Sequence, residues 1–201
     1  MIFGNLPTSS GGSNHFHHAS QWKLVFEDNF TDADFTYIND HTPDPGPSPG
    51  FLEVNALAQI IGNSFAADDV QTYGFAIRNI GLRKPNKIEV GFTGAGNYIG
   101  IRAQNFPNYL YWLYESSTLR FYERSSSGNV LLHTLGHSIG VSPYKTIVCT
   151  DYGDLIRLTL TGGGKSYNTE YNTTSYNKDS NIVIGGRDSN SRIDYIKVYK
   201  K

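Results

Sequence analysis

The sequence predicts an all-β domain made of two packed antiparallel sheets, preceded by a flexible N-terminal arm. Short apolar runs recur about every 8–12 residues along the chain, and several of them alternate apolar with polar residues. No segment carries the 3.6-residue apolar stripe of a helix. The 201 residues also include 21 Gly, 14 Tyr and 11 Phe, a composition that favours turns and strands over helices.

The apolar runs give the individual strands in order. The first is predicted over residues 23–30, and residues 42–50 after it hold four of the eight prolines, which excludes regular structure there. Alternation is clearest around Ile88, Val90 and Phe92. The remaining strands are predicted near residues 56–61, 73–79, 86–93, 97–103, 108–115, 118–124, 129–135, 144–150, 154–161, 181–186 and 192–199.

Length, charge and cysteine content narrow the class of protein. The chain is long enough for one domain with a sizeable core, and 38% of its residues are hydrophobic, which argues against a disordered chain. Only 17% of residues are charged and the net charge is −1, which argues against a nucleic-acid partner bound through bulk charge. Cys149 is the single cysteine, so we expect no internal disulfide and interpret Cys149 as a buried small residue.

Residues 1–21 form a Gly/Ser/His-rich lead that we interpret as the flexible arm, and residues 22–201 form the predicted domain. The anchoring part of this arm is predicted at His15, Phe16, His17 and His18. We expect these side chains to dock on a neighbouring molecule rather than hold a metal, because the arm offers no further ligand. The start of the chain has no signal-peptide pattern, and no apolar run reaches about 18 residues, so we predict no membrane insertion.

Two segments carry motifs of a known family. Residues 25–69 contain FEDNFT, the turn Asp40-His41-Thr42-Pro43-Asp44 and the segment NALAQIIGNSFA, and residues 192–201 read RIDYIKVYKK. In order and spacing these motifs resemble the concanavalin A-like, laminin-G-like jelly-roll domains found in phage tail and other virion proteins. The chain departs from that pattern at Phe51, where the family has Trp. The resemblance implies a two-sheet jelly roll over roughly residues 23–200 whose last strand pairs with the first, and it leaves the function open because such folds host many functions.

The acidic residues do not form a catalytic pattern in the sequence. Glucanases of this superfamily carry E-x-D-x-x-E on one strand, and no such segment occurs here. Glu89 and Glu115 stand alone on their predicted strands, and Glu123 is flanked by Arg120 and Arg124. We therefore predict that the chain is not an enzyme.

The aromatic run at residues 108–114 is the strongest candidate for binding. In a strand, Tyr109 and Tyr111 lie on one face and Trp112 on the other, and one of these faces must enter the core. Rings beside hydrogen-bonding side chains suit a sugar, whereas packing against the other sheet or a neighbouring subunit is the commoner role of such rings. The carbohydrate-binding residues predicted on this basis are Tyr98, Arg102, Tyr109, Tyr111, Trp112, Arg120 and Tyr122.

Asp28 and Asp194 are the metal candidates. In domains of the kind that the chain resembles, a structural Ca²⁺ often lies between an acid near each end of the domain. Calcium needs six or more oxygen ligands, so Asn29 or backbone carbonyls would have to complete the shell. We favour the alternative that the two acids cap turns or pair with Lys23 or Arg192, and we predict no required cofactor.

Three functional hypotheses follow from the sequence and the resemblance. The first is a non-enzymatic virion structural protein, a capsid decoration or tail component, whose partners are other virion proteins or copies of itself. Such a protein is located in the virion and reaches the outside of the cell by lysis, consistent with the absence of a signal-peptide pattern. The second is a carbohydrate-binding module for host-surface glycans, and the third is a polysaccharide-active enzyme with an atypical site.

Deletion of residues 1–21 is expected to leave a folded, soluble domain that no longer enters particles, because the deletion removes the predicted anchor. The measurement is the protein content of particles assembled with the full-length and the shortened chain. Normal incorporation of the shortened chain would refute the anchor role.

Overall fold

A computed structural model describes residues 21–38, 40, 41, 51–53, 58–66, 73–77, 84–105, 107–176, 178, 179, 181–187 and 190–201. For residues 51–53, 73–77 and 105 only the backbone is described. His15, Phe16, His17 and His18 of the predicted arm and the proline-rich stretch 42–50 lie outside the described residues. The described residues form strands, turns and no helix, which confirms the all-β prediction. Accordingly, that part of the chain has no helix of the length and apolarity that crossing a membrane requires.

The strands form two antiparallel sheets, which confirms the predicted sandwich. One sheet has seven strands in the order β10-β9-β8-β7-β14-β5-β2. The other has eight strands, with the order β13-β12-β11-β6-β15-β4-β3 and β1 also paired with β15. The strands are β1 (Lys23–Asp28), β2 (Phe51–Glu53), β3 (Gln59–Ile60), β4 (Phe65–Ala66), β5 (Tyr73–Ile77), β6 (Asn86–Thr93), β7 (Asn97–Asn105), β8 (Asn108–Tyr114), β9 (Thr118–Ser125), β10 (Gly128–Gly136), β11 (Lys145–Asp151), β12 (Leu155–Gly162), β13 (Lys165–Asn172), β14 (Asn181–Gly186) and β15 (Arg192–Lys200).

The predicted pairing of the first and last strands is present. β1 runs antiparallel to β15, from Lys23 opposite Lys200 to Asp28 opposite Ile196. The other edge of β15 pairs with β6, so the C-terminal strand lies inside the eight-stranded sheet rather than at its edge. The terminal segments of the domain are therefore fixed by backbone hydrogen bonds on both sides of β15.

The core lies between the sheets and is built by period-two alternation. From the eight-stranded sheet it takes Ile88, Val90 and Phe92, the residues whose alternation the sequence shows, and each is at most 2% exposed. From the seven-stranded sheet it takes Trp112 and Phe121, whose rings stack with centroids 4.2 Å apart. Cys149 is also buried in this core, as predicted.

Strand β13 was not predicted from the sequence. Its residues, KSYNTEYN, are nearly all polar, and most of them are exposed because β13 forms an edge of the eight-stranded sheet. Only Tyr167 and Tyr171 pack against the core from this strand. A polar edge strand lacks the apolar run on which strand prediction depends, and its polarity protects an exposed edge from pairing with other chains.

The turn that follows β1 is held by a histidine between two carboxylates. His41 Nε2 lies 2.8 Å from Asp28 Oδ2, and His41 Nδ1 lies 2.7 Å from Asp32 Oδ2. Burial by itself would lower the pKa of His41, but hydrogen bonds and charge from Asp28 and Asp32 outweigh it and raise the pKa above its ordinary value. A protonated ring donates from both nitrogens, so His41 ties this turn to the end of β1.

Substitution of His41 by Gln is expected to lower the free energy of unfolding by about 3 kcal/mol near pH 6, because it removes one member of a buried ion pair. A raised folded-state pKa means that the stabilisation is complete below the unfolded pKa of about 6.5 and is lost as the pH rises through the folded value. The gap between wild type and H41Q should therefore narrow toward about pH 9. Urea unfolding of both proteins across this pH range measures the difference in the free energy of unfolding. A difference that is independent of pH would contradict the assignment of His41 as a protonated member of an ion pair.

Candidate functional site

The seven-stranded sheet is apolar on its outer face as well as on its core face. A second cluster of buried side chains, separate from the core, consists of Tyr98, Ala103, Tyr109, Tyr111, Leu113 and Val183, with Tyr122 packed against it. We call its four tyrosines, Tyr98, Tyr109, Tyr111 and Tyr122, the tyrosine cluster. Strand alternation puts Trp112 in the core and its neighbour Tyr111 on the outer face.

Strand register brings the tyrosine cluster together. Tyr111 on β8 lies directly opposite Tyr122 on β9, and their rings stack with centroids 5.1 Å apart and planes 16° apart. Tyr98 meets Tyr111 edge to face at 5.8 Å. Gly100, opposite Tyr111 on β7, leaves room for Tyr109, because a Cβ there would lie 3.2 Å from the Tyr109 ring and 2.8 Å from Cβ of Val183. The rings thus hold one another in fixed positions.

Two adjoining clefts lie over and beside the tyrosine cluster, and we call them together the groove. The first has a volume of about 390 Å³ and the second about 590 Å³. Glu115, Arg120 and Arg187 line both clefts, so the two clefts are adjacent at these side chains. Volumes of this size are typical of small-molecule and sugar sites. The first cleft is lined by Tyr98, Tyr111, Leu113, Glu115, Arg120, Tyr122, Arg124, Asn129 and Arg187.

The rim of the groove is charged. Glu115, directly after β8, lies between two arginines, with Arg120 Nε 3.2 Å from its Oε2 and Arg187 Nη1 3.7 Å from its Oε1. Thr118 donates its hydroxyl to the same carboxylate at 2.9 Å, across the tight turn that joins β8 to β9. Arg124 adds a third guanidinium, 6.0 Å from the centre of the Tyr109 ring. The first cleft therefore combines an aromatic floor with three cations and one anion.

The hydroxyl of Tyr98 is the most unusual polar group of this site. Tyr98 is 1% exposed, and within the described residues its hydroxyl has no hydrogen-bond partner. Burial raises the pKa of this phenol well above its ordinary value, so the hydroxyl stays protonated and can donate. A buried hydroxyl without a partner costs free energy.

The structure unites most of the predicted binding residues. Tyr98, Tyr109, Tyr111 and Tyr122 form the tyrosine cluster, and Arg120 stands at the rim. Trp112 does not reach the groove, because it is 0% exposed and stacks on Phe121 in the core. Arg187 and Asn129 also line the first cleft, and no pattern in the sequence pointed to them, because each comes from a strand end or edge that only the fold places there.

Arg102 does not point to the groove either, although it was predicted as a binding residue. Its φ of +53° lies in the left-handed region, within a register irregularity between β7 and β8, and it is 2% exposed. Its guanidinium makes a two-pronged pair with Asp151 of the eight-stranded sheet at 2.8 and 2.7 Å. Its other hydrogen bonds go to the carbonyls of Thr173, Ser175 and Gly153. Arg102 therefore joins the two sheets instead of facing a ligand.

The two predicted metal residues have protein partners. Asp28 accepts the backbone N–H of Phe30 at 2.9 Å and pairs with His41. Asp194 accepts the hydroxyl of Ser64 at 2.5 Å through Oδ1, while its buried Oδ2 has no hydrogen-bond partner among the described residues. Burial raises the pKa of Asp194. No group of three or more His, Cys, Asp or Glu side chains in the described segments is placed to hold a metal ion, so the calcium site stays a prediction.

No family model matches the chain, and no curated protein is similar to it in sequence. In structure it resembles the CBM2 module of the evolved Dit protein of Lactobacillus casei BL23 phage J-1, with a TM-score of 0.56, 8% identity, and coverage of 89% of this chain and 95% of that one. It also resembles winged bean acidic lectin, solved with methyl-α-D-galactose, with a TM-score of 0.58, 9% identity, and coverage of 90% and 99%. These similarities define its class by fold, a lectin-like β-sandwich domain.

The same fold also occurs within a larger enzyme. Xylan β-1,4-xylosidase from Bacillus halodurans C-125 matches 98% of this chain with a TM-score of 0.58 and 11% identity, but the match covers only 41% of the enzyme chain. At such low identity the likeness concerns the fold alone, so function has to be argued from the groove.

Substitution of Arg102 by Lys is expected to lower the free energy of unfolding by about 3 kcal/mol, because a lysine cannot make the two-pronged pair with Asp151. Arg157→Lys is the matched control. Arg157 pairs with Glu170 on the exposed side of the eight-stranded sheet, so its substitution should change the free energy of unfolding far less. Urea unfolding of both variants measures the difference. Equal losses would show that the pair with Asp151 does not join the sheets as described.

Proposed function

We propose that this chain is a carbohydrate-binding module and that its ligand lies in the groove on the outer face of the seven-stranded sheet. The observation that carries the proposal is a cleft of about 390 Å³ lined by the rings of Tyr98, Tyr111 and Tyr122 and by charged side chains. In such a site the rings match the apolar C–H face of a sugar, and the charged side chains match its hydroxyl groups.

Each part of the groove has a role in this proposal. The rings of Tyr111 and Tyr122 contact the C–H face of a sugar, which buries apolar surface without immobilising flexible side chains. Arg120 and Arg187 donate to sugar oxygens, and Glu115 accepts from sugar hydroxyls. Tyr98 packs edge to face against Tyr111 and holds that ring in place.

The groove favours binding over hydrolysis. Glycoside hydrolysis by the usual route needs two carboxyl groups about 5–9.5 Å apart on either side of the bond. Among the described residues that line the groove, Glu115 is the sole carboxylate, and it is paired with arginines. This supports a non-enzymatic role for the chain.

We further propose that the module belongs to a virion, where it is displayed as a decoration or tail component and recognises glycans of the host surface. The support is the likeness to a phage Dit module over 89% of this chain, together with the virion-type motifs at its two ends. In this proposal the partners are other virion proteins or copies of the chain, and the arm provides the anchor. The deletion of residues 1–21 tests this part independently of sugar binding.

Substitution of Tyr122 by Ala is expected to weaken glycan binding about tenfold, because it removes a ring that lines the first cleft. Tyr152→Ala is the control, since Tyr152 is an exposed residue of the turn between β11 and β12 in the other sheet. A glycan array selects the ligand, and isothermal titration calorimetry measures the affinity of each variant.

The outcomes of that experiment separate the alternatives. Loss of affinity in Y122A but not in Y152A places the sugar over the tyrosine cluster. Equal affinity in both variants contradicts the proposed site. No binding of any glycan at millimolar concentration contradicts the carbohydrate-binding function and leaves the structural role in a virion.

A further inference from the structure

The groove carries an excess of positive charge that a neutral sugar does not use. We propose that its ligand is an acidic glycan whose sugar carries a carboxylate, as in uronic or sialic acids. This inference rests on the proposed function and adds the chemical class of the ligand to it. It is argued from the charges, exposures and distances of the side chains at the rim.

The charge balance of the groove differs from that of the whole chain. The chain has a net charge of −1, yet among the described residues that line the first cleft Glu115 is the one acid, and it lies between Arg120 and Arg187. Two guanidiniums share this one carboxylate, so these three side chains leave one positive charge at the rim of a cleft of about 390 Å³. The low-dielectric tyrosine cluster below strengthens the field in such a cleft. An anion therefore binds with a more favourable free energy in this cleft than elsewhere on a surface that is close to neutral overall.

Glu115 shows what kind of anion the arginines accept. Its two carboxylate oxygens lie next to different guanidiniums, Oε2 at 3.2 Å from Arg120 and Oε1 at 3.7 Å from Arg187. The distance to Arg187 exceeds a hydrogen bond, so Glu115 leaves the donors of Arg187 incompletely used. The Arg187 side chain is 54% exposed, so a ligand can reach it, and its backbone N–H is fixed by the carbonyl of Gly96 at 2.9 Å.

A planar carboxylate fits this arrangement better than other anions do. A guanidinium presents parallel N–H groups that match the two oxygens of a carboxylate, and such charge-assisted bonds are about twice as strong as neutral ones. The stacked rings at the base of the cleft provide a contact surface for the sugar that carries the carboxylate. A free anion would not need such an apolar surface. The limited volume of the first cleft favours one acidic sugar residue over an extended polyanion.

The test uses pairs of glycans in which one member has its acidic group masked or removed. Oligogalacturonate is compared with its methyl ester, sialyllactose with its methyl ester, and a sulfated galactan oligosaccharide that has no carboxylate with its desulfated form, each titrated into the full chain by calorimetry. At least one carboxylate-bearing glycan is expected to bind about tenfold or more tightly than its neutral partner. The preference should fall as salt is raised.

Three variants locate the preference in the groove. Arg187→Gln should remove most of the preference for the acidic partner, and Arg157→Gln is its control. Arg157 is also 54% exposed and ion-paired, but it lies on the other sheet. The Arg157→Gln substitution therefore changes the net charge of the protein without changing the groove. Glu115→Gln should raise affinity for the acidic glycan, because it removes the carboxylate that competes for Arg120 and Arg187.

Each unfavourable result has a distinct meaning. Neutral glycans that bind as well as their acidic partners overturn this inference and leave the proposed carbohydrate-binding function standing. Preference for the sulfated pair alone overturns the carboxylate assignment. An equal effect of R187Q and R157Q shows that net charge, and not the groove, is responsible. Failure of every glycan to bind overturns the proposed function itself.

Discussion

Strand β8 buries side chains on both of its faces, and the rest of the structure depends on this. Of its seven residues, all but Asn108 are buried. The core face carries Leu110, Trp112 and Tyr114, which close the space between the sheets, while Tyr109 and Tyr111 on the outer face hold the tyrosine cluster. In an antiparallel sheet one face usually meets solvent, so a second buried layer on the outer face marks a surface that the fold has specialised.

The link between Arg102 and Asp151 fixes the seven-stranded sheet relative to the other. A buried ion pair is costly unless the remaining donors and acceptors are also satisfied. Arg102 meets this requirement through three carbonyls, and Asp151 accepts the backbone N–H of Gly153 at 2.8 Å and lies 3.6 Å from Lys84. Because this network spans β7 and β11, it constrains the strand that carries Tyr98.

The sequence predicted features that depend on alternation and failed where the fold alone decides. Ile88, Val90 and Phe92 were correctly assigned to one face by alternation, whereas the pairing of β1 with β15 came from the family resemblance and is also correct. The choice between the two faces of residues 108–114 could not be made, since both carry aromatic residues and both are buried. Arg102 was misplaced because a left-handed backbone within an irregular stretch of β7 changes where a side chain points, and nothing in the sequence marks it.

Two residues at the rim, Glu115 and Arg187, were beyond sequence analysis for a different reason. Glu115 was seen as an isolated acid, and Arg187 was not considered, because 72 residues separate them and only the pairing of β7 with both β8 and β14 brings their strand ends together. Charged residues at strand ends are common, so a single one carries no functional signal. Glu115 and Arg187 indicate a site only because the fold brings them together at one cleft.

The base of the groove is rigid, whereas the side chains at its rim are exposed. The rings of the tyrosine cluster are held by one another and by Gly100, so contacting a ligand costs them little conformational entropy. The rim side chains of Arg120 and Arg187, 40% and 54% exposed, are the ones that must be ordered on binding. In the proposed carbohydrate-binding function, affinity for a sugar ring arises at the base of the groove, whereas discrimination between sugars arises at the rim, where a single substitution changes charge without disturbing the packing below.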